Sequence, residues 1–356
     1  MSPLFNDVFL KACRSEHVPY TPVWFMRQAG RYQAEYRSIR EHYSFFEISR
    51  HPEVCAQVTR LPVEKLGVDA AILFADIMTP LKARGLKVEI VEGVGPVFDR
   101  PIRSGADVAH WKPLDPSQDL PYVLETVDLL HSQLDVPLIG FAGAPFTLAS
   151  YLIEGGPSKN YHQTKAFMYA HPEDWAALMD DLSAMTLDYL LAQIHAGAQA
   201  VQLFDSWVGA VSEEDYRKSI APAMNRIFSK LKETEAVTLY FATGAGHLLT
   251  EWNKLPVDVL SFDWRTSAND LRRLGITKAV QGNLDPALLL APQNLLRARA
   301  QTLLDQFQDR PGYIFNLGHG VFPEVKEKTL RALADFVHTY TSQNKPEARR
   351  FQTGQS

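Results

Sequence analysis

Residues 23–32 read Val-Trp-Phe-Met-Arg-Gln-Ala-Gly-Arg-Tyr, an apolar run that passes directly into a loop with two arginines. The run ends at Met26 and is typical of a buried strand. Gly30 lets the following loop turn sharply or approach a ligand closely. The planar guanidinium groups of Arg27 and Arg31 suit carboxylates and phosphates. The stretch therefore predicts a strand that feeds a pocket for an acidic ligand, with a solvated basic loop as the alternative.

Apolar runs of strand character recur along the chain, and predicted helices separate most of them. The predicted strands cover residues 22–26, 70–76, 137–141, 200–205, 237–241, 257–262, 279–282 and 313–316. Runs that are apolar throughout indicate parallel strands buried on both faces. Eight such units predict a single (β/α)8 TIM barrel, an α/β fold. A doubly wound open sheet is the alternative, but no glycine-rich dinucleotide motif follows the first strand.

Helical periodicity and punctuation complete the predicted organisation. The predicted helices cover residues 3–16, 47–66, 121–134, 173–196, 213–233, 246–253, 268–274, 287–307 and 324–341, with Pro62 expected to kink or break the second. Residues 86–103 mix β-branched residues with glycine and proline, which predicts a short β-hairpin excursion after strand 2. We expect residues 1–345 to form one barrel domain and residues 346–356 to form a polar, disordered tail.

Composition excludes several classes of protein. The 356 residues carry a net charge of −5, whereas a general nucleic-acid binder is usually basic. No apolar run is long enough to span a membrane, and the first residues lack the pattern of a signal peptide. The chain has only two cysteines, Cys13 and Cys55, which make neither a disulfide framework nor a thiolate metal cluster. We therefore expect a cytoplasmic protein.

The chemistry of a barrel of this kind lies on the loops at the carboxyl ends of its strands. Those positions hold a ring of polar residues: Arg27, Arg31, Asp76, Thr147, Tyr151, Asp205, Ser206 and His319. Each has a structural alternative, since aspartate often caps helices, tyrosine packs in cores and serine caps turns. His319 lies between two glycines, which is unusual for a core histidine. Together the group predicts an active site.

Several blocks of the sequence resemble one family. Residues 26–32 resemble the N-terminal signature of the uroporphyrinogen decarboxylases, and the match continues, in the family's order, at residues 74–77, 143–147, 151–156, 281–286 and 315–320. The resemblance implies a (β/α)8 barrel, a homodimer, and no metal or organic cofactor. It also implies decarboxylation of the four acetate side chains of uroporphyrinogen III to methyl groups, which gives coproporphyrinogen III on the path to haem and chlorophyll.

The same resemblance assigns the site. It implies substrate contacts at Arg27, Gln28, Ala29, Gly30, Arg31, Arg40, Asp76, Tyr151, Ser206 and His319. Of these, Arg27, Arg31 and Asp76 are expected to be catalytic.

The chemistry suits these groups. An acetate on a neutral pyrrole loses carbon dioxide slowly, but protonation of the adjacent ring carbon creates a cationic electron sink. A buried carboxylate, for which Asp76 is the candidate, would hold the pyrrole N–H groups and oppose that cation. Arg27 or Arg31 would grip the reacting acetate. An arginine, a water or His319 remain alternatives for the proton donor.

Two other functions compete with this interpretation. A zinc-dependent methyltransferase of the same superfamily would activate a thiolate on zinc held by His and Cys ligands, but no cysteine follows Cys55. A tetrapyrrole carrier without catalysis would gain nothing from a buried negative charge at Asp76.

Overall fold

In the computed structural model of the chain, residues 5–91, 95–108 and 111–343 are described. The predicted tail at residues 346–356 lies outside the described residues, and so does the turn of the predicted hairpin at residues 92–94. Among the residues that are described, no helix is long and apolar enough to cross a membrane.

The strands form one parallel sheet and one antiparallel pair. In chain order they are β1 (Ala71–Ile72), β2 (Val88–Val91), β3 (Gly95–Phe98), β4 (Leu138–Gly143), β5 (Ala200–Phe204), β6 (Val237–Phe241), β7 (Val259–Ser261), β8 (Ala279–Leu284) and β9 (Tyr313–Leu317). The parallel sheet has the order β1-β4-β5-β6-β7-β8-β9, so its strands are neighbours in the order of the chain. The antiparallel pair, β2 and β3, is the predicted hairpin.

Helices connect the parallel strands. They are α1 (Val8–Cys13), α2 (Ala34–His42), α3 (Phe45–Arg50), α4 (Pro52–Leu66), α5 (Thr79–Ala83), α6 (Pro116–Asp119), α7 (Pro121–Gln133), α8 (Pro145–Glu154), α9 (His162–Ala170), α10 (Pro172–His195), α11 (Glu213–Ser219), α12 (Ala221–Leu231), α13 (Leu249–Trp252), α14 (Ala268–Arg273), α15 (Gln293–Phe307) and α16 (Glu327–Gln343). Short 3-10 turns cover Gly105–Asp107, Val208–Ala210, Gly246–Leu248 and Pro286–Leu290.

Among the described residues the parallel sheet has seven regular strands, and residues 22–24 fill the remaining, eighth strand position of the barrel, between β9 and β1. Val23 forms a parallel bridge to Phe315, whose N–H donates to the carbonyl of Pro22 at 2.9 Å. On the other side, the N–H of Asp69, just before β1, donates to the carbonyl of Val23 at 2.8 Å. The predicted (β/α)8 barrel is thus confirmed, although the predicted strand at residues 22–26 is reduced to an isolated bridge.

Side chains take the place of the missing ladder along this segment. The Asp69 carboxylate accepts the N–H of Val23 through Oδ2 at 2.8 Å, and Asn316 Oδ1 accepts the N–H of Met26 at 3.1 Å. Gln28 Oε1 accepts the N–H of Phe25 at 3.0 Å. Because acceptors on side chains satisfy these buried N–H groups, the segment needs no regular strand partner there.

A buried polar layer ties the barrel together from the inside. The indole Nε1 of Trp24 donates to Gln281 Oε1 at 2.8 Å, and Gln281 Nε2 donates to Gln202 at 3.0 Å and Ser261 at 2.9 Å. All four side chains are fully buried. They come from the eighth strand position, β8, β5 and β7, so these hydrogen bonds cross the interior of the barrel.

Several predicted helices are divided, and the predicted helix at residues 287–307 consists of the 3-10 turn Pro286–Leu290 and α15. The predicted helix at residues 47–66 is interrupted at His51 and not at Pro62, which lies inside α4. Pro52 begins the second helix because its missing N–H is no loss in the first turn. The predicted helix at residues 213–233 breaks at Ile220 for a similar reason, since Pro222 lies in the first turn of α12.

Asp69 stabilises the seam, the junction between residues 22–24 and β1. Its carboxylate, 2% exposed, also accepts from Tyr20 Oη at 2.9 Å and Asn6 Nδ2 at 3.1 Å, and lies 2.7 Å from His338 Nε2. Asp69→Ala should lower the free energy of unfolding by about 3 kcal/mol, because buried donors lose their acceptor. Urea unfolding measures the loss.

The matched control is Asp128→Ala on the exposed side of α7, which should change stability by less than about 0.5 kcal/mol. Equal stability of the two variants would show that Asp69 does not hold the seam.

Candidate active site

Arg27 stands where the eighth strand position ends and the loop begins. Its backbone has φ +59°, in the left-handed region that residues other than glycine rarely adopt. Its side chain runs across Gly320, where an added methyl group would lie 2.6 Å from Arg27 Cγ and 3.0 Å from Nε. Gly320 is therefore required by the close approach of the arginine, which links the first loop of the barrel to the last.

Two glutamines brace this loop. The side chain of Gln28 is buried, and besides accepting the N–H of Phe25 it donates from Nε2 to the carbonyl of Ala70 at 3.0 Å. Gln33 Oε1 accepts the N–H of Gly30 at 3.3 Å. Both ends of the Gln28 amide are thus bonded to the main chain, which makes Gln28 a support for the loop. Ala29 and Gly30 are half-buried on the same loop.

Arg31 and Arg40 meet around one tyrosine. Burial raises the pKa of the Tyr36 hydroxyl, and the nearby guanidinium groups of Arg40 and Arg31 partly oppose that rise. The Tyr36 ring packs on Phe74, two residues before Asp76, with 5.6 Å between ring centroids. Arg37 is exposed, and its Nη1 donates to the carbonyl of Arg31 at 2.9 Å. Arg31 and Arg40, the two predicted site residues here, are exposed and form no ion pair among the described residues.

Asp76 follows β1 and is half-buried. Its Oδ1 accepts the N–H of Met78 at 2.7 Å in a local turn before α5. Asp76 is not the N-cap of that helix, because the N-cap position is Met78 and no side chain caps it. Its Oδ2 has no hydrogen-bond partner within the described part of the chain. Burial raises the pKa of the Asp76 carboxyl, whereas the Met78 N–H and the charges of Arg27 and Lys82 lower it. Burial outweighs the other three groups, so the net pKa is raised, while Oδ2 stays available to a ligand.

Tyr151 packs against Trp207 in an aromatic cluster. The centroids of these two rings lie 3.8 Å apart, and the ring centroid of Tyr161 lies 5.1 Å from that of Trp207. Burial raises the pKa of the Tyr151 hydroxyl; the Asp76 charge adds to the rise and the Arg27 charge opposes it. Tyr151 therefore faces the same two charges that define the first loop and β1.

Asp205 and Ser206 end β5 with different roles. Asp205 is fully buried, and its carboxylate accepts from Thr147 Oγ1 and from Tyr240 Oη, each at 2.7 Å. Burial raises the pKa of the Asp205 carboxyl to about 6 even though both hydroxyls lower it. Its oxygens are thus occupied inside the protein. Ser206 is half-buried, and its hydroxyl has no partner among the described residues.

His319 follows β9 and is half-buried between two glycines. Burial and the charge of Arg27 lower the pKa of its imidazole to about 4. The ring is therefore neutral at neutral pH. Gly318 allows the chain to pass against Trp264, whose backbone nitrogen would lie 2.7 Å from a methyl group added at that glycine.

The loops thus bring most of the predicted residues to one rim. Arg27 influences Asp76, Tyr151 and His319, while Arg31 and Arg40 share Tyr36. Two further residues were not predicted. Trp207 directly follows Ser206 at a strand end, a position that could have singled it out, whereas Lys82 belongs to no motif. No group of three or more His, Cys, Asp or Glu side chains that could hold a metal exists within residues 5–91, 95–108 and 111–343.

Comparisons with known proteins agree with one another. The sequence profile of the family "Uroporphyrinogen decarboxylase (URO-D)" matches residues 4–340. The chain is 62% identical to a protein named uroporphyrinogen decarboxylase from Geobacillus kaustophilus (strain HTA426), over 97% of this chain and 100% of the relative. It is 58% identical to one of the same name from Bacillus subtilis (strain 168), over 96% and 97% of the two chains.

Solved structures show the same fold at lower identity. A methyltransferase from Methanosarcina mazei matches with a TM-score of 0.78 at 19% identity, over 94% of this chain and 98% of the other. A B12-independent methionine synthase from Shewanella sp. W3-18-1 matches with a TM-score of 0.54 at 11% identity, over 85% and 89%. At these identities the likeness concerns the fold alone.

The titration of His319 tests the arrangement around Arg27. Its imidazole should titrate near pH 4, and Arg27→Gln should raise that pKa, because removal of a nearby positive charge favours the imidazolium. Histidine NMR chemical shifts followed against pH measure both values. Arg299→Gln on the exposed side of α15 is the control and should leave the titration unchanged. A His319 pKa near 6.5 that does not change in Arg27→Gln would show that Arg27 does not lie near His319.

Proposed function

The chain belongs to the uroporphyrinogen decarboxylase family, and from that premise we propose that Arg27, Arg31 and Asp76 carry out its reaction at the rim of the barrel. The reaction is the decarboxylation of uroporphyrinogen III in tetrapyrrole biosynthesis, which turns four acetate side chains into methyl groups and gives coproporphyrinogen III. The observation that carries the assignment is the half-buried Asp76 carboxylate, with Oδ2 unbonded among the described residues and with Arg27 beside it.

Asp76 opposes the charge that the reaction creates. A proton added to the ring carbon next to an acetate makes the pyrrole cationic. The bond to the carboxylate then breaks, its electron pair enters the ring system and carbon dioxide leaves. A second proton goes to the side-chain carbon and the ring carbon releases the first, so one proton replaces each carbon dioxide. A carboxylate held at the pyrrole N–H groups stabilises the cationic stage by about 3–4 kcal/mol.

The arginines bind the carboxylates of the substrate. Arg27 and Arg31 grip the acetate that reacts, and Arg40 binds a second carboxylate near Tyr36. Ala29 and Gly30 are small, so the substrate can approach the loop backbone between the two arginines. Gln28 acts through its position in the loop, because both ends of its amide are bonded to the main chain.

Tyr151, Ser206 and His319 complete the site as hydrogen-bonding groups. The ring of Tyr151, packed at a tilt against Trp207, gives a flat surface against which a pyrrole can lie. The Ser206 hydroxyl is available for a carboxylate. Because its pKa is about 4, His319 enters the reaction as a neutral imidazole and serves as a hydrogen-bond partner.

We propose further that the enzyme works without a metal or organic cofactor, because the protonated substrate is its own electron sink. We also propose a homodimer in the cytoplasm, with residues 1–345 as one catalytic domain and with neither nucleic acid nor membrane as a partner. The net charge of −5 agrees with the absence of a nucleic-acid partner. Sedimentation of a monomer at micromolar concentration would refute the dimer and leave the catalytic assignment intact.

Anaerobic turnover tests the proposed function as a whole. The purified protein should convert uroporphyrinogen III to coproporphyrinogen III, measured by chromatography of the porphyrins after oxidation. Treatment with a chelator should leave the rate unchanged. An activity that is lost with the chelator and restored by zinc would favour the methyltransferase alternative, and tight binding without product would favour a carrier.

The arginines make a sharper prediction. Arg27→Ala or Arg31→Ala should each lower kcat/KM by the equivalent of about 2–4 kcal/mol, because a substrate carboxylate loses a charge-assisted partner. Arg299→Ala, an exposed arginine of α15 without a hydrogen bond among the described residues, is the matched control. Losses at Arg27 and Arg31 no larger than at Arg299 would place the substrate elsewhere.

A further inference from the structure

Lys82 brings a second cation to the neighbourhood of Asp76. It lies on α5, is half-buried, and holds its Nζ 3.4 Å from the centroid of the Phe46 ring. Phe46 belongs to α3, so this cation–π contact holds the amino group of Lys82 against α3, although α4 separates α3 from α5 in the chain. Phe45, next to Phe46, packs on Phe74 with 5.0 Å between ring centroids. Helix α3 therefore lies against the segment between β1 and Asp76.

Arg50 lies close to Lys82. It is four residues after Phe46 on α3, so both side chains project from the same side of that helix. Burial lowers the pKa of the Lys82 amino group, the charge of Arg50 lowers it further, and the Asp76 carboxylate opposes both. Neither Lys82 nor Arg50 forms an ion pair within the described residues.

The Arg50 guanidinium also interacts with the Tyr122 hydroxyl. Hydrogen bonding to Ser44, whose N–H the Glu47 carboxyl accepts, lowers the pKa of that carboxyl, and the charge of Arg50 lowers it further. The two like charges thus stand together without a direct ion pair among the described residues, with Glu47 and Asp76 as the acidic groups that act on them from nearby.

We propose that Lys82 and Arg50 together bind one carboxylate of the substrate. This inference rests on the proposed function. It adds a cationic contact carried by α3 and α5, which are elements separate from the loop of Arg27 and Arg31 and from the Arg40 position on α2.

The charge balance of the complex supports this assignment. The substrate has eight carboxylates, and the assigned arginines account for only three cations. A partly buried lysine beside an arginine is destabilised by the loss of hydration and by repulsion between the two positive charges. A carboxylate bound between them offsets both effects. Asp76 does not fill that place with a direct contact, because it makes no ion pair with Lys82 and its Oδ1 is bonded to the Met78 N–H.

Lys82 also has a simpler role to be distinguished from binding. Its positive charge favours the ionised form of Asp76, and this effect alone would alter the catalytic step. Loss of that effect lowers kcat and leaves KM nearly unchanged. Loss of a carboxylate contact made in both the bound substrate and the transition state raises KM and changes kcat little. The ratio of the two effects therefore separates the roles.

The test is the steady-state kinetics of Lys82→Gln and Arg50→Gln with uroporphyrinogen III. Each variant should raise KM about tenfold and change kcat by less than about threefold. The double variant should raise KM by less than the product of the single effects, because both cations hold the same carboxylate. Lys82→Arg, which keeps the charge, should restore most of the affinity.

Controls separate the possible failures. Lys87→Gln, at an exposed lysine without a hydrogen bond among the described residues, should match the parent enzyme, and thermal unfolding identifies variants that are misfolded. An unchanged KM, a loss confined to kcat, or fully multiplicative effects would each overturn the shared carboxylate site. If Arg27→Ala is impaired while Lys82→Gln is normal, only this inference fails. If Arg27→Ala and Asp76→Asn are both normal, the proposed site itself fails.

Discussion

The hydrogen bonds to the Asp69 carboxylate are the constraint on which the site depends. This buried group accepts the N–H of Val23 and also contacts Tyr20, Asn6 and His338. It thereby joins the eighth strand position to β1 and to α16. Because residues 22–24 have only an isolated bridge to β9, the place at which the chain turns out of the barrel is set by side-chain acceptors. That turn delivers Arg27 to the rim.

Arg27 then acts as the electrostatic centre of the rim. Burial is the largest influence on both groups, and the charge of Arg27 adds to it at His319 by favouring the neutral imidazole and opposes it at Asp76 by favouring the ionised carboxylate. Gly320 makes this possible because only a residue without a side chain lets the arginine pass so closely. In the function that we propose, the negative Asp76 group opposes the ring cation that develops in the substrate.

The sequence predicted the architecture well where hydrophobic periodicity decides it. The predicted strand at residues 237–241 coincides with β6, and the hairpin excursion is present as β2 and β3. The first strand was predicted as a regular strand because its apolar pattern does not reveal that Asp69 and Asn316 replace a neighbouring strand. The rim residues came from strand ends and motifs, whereas Lys82 was missed because only tertiary packing on Phe46 brings it near Asp76.

Single-turnover decarboxylation by Asp76→Asn and Asp76→Glu tests the central claim most directly. Asparagine keeps the size of the side chain and an acceptor oxygen for the Met78 N–H but lacks the charge, so the rate should fall by about 10²-fold or more while the thermal unfolding midpoint stays near that of the parent. Glutamate keeps the charge in a displaced position and should give an intermediate rate. An asparagine variant that decarboxylates at nearly the parental rate would remove Asp76 from the mechanism.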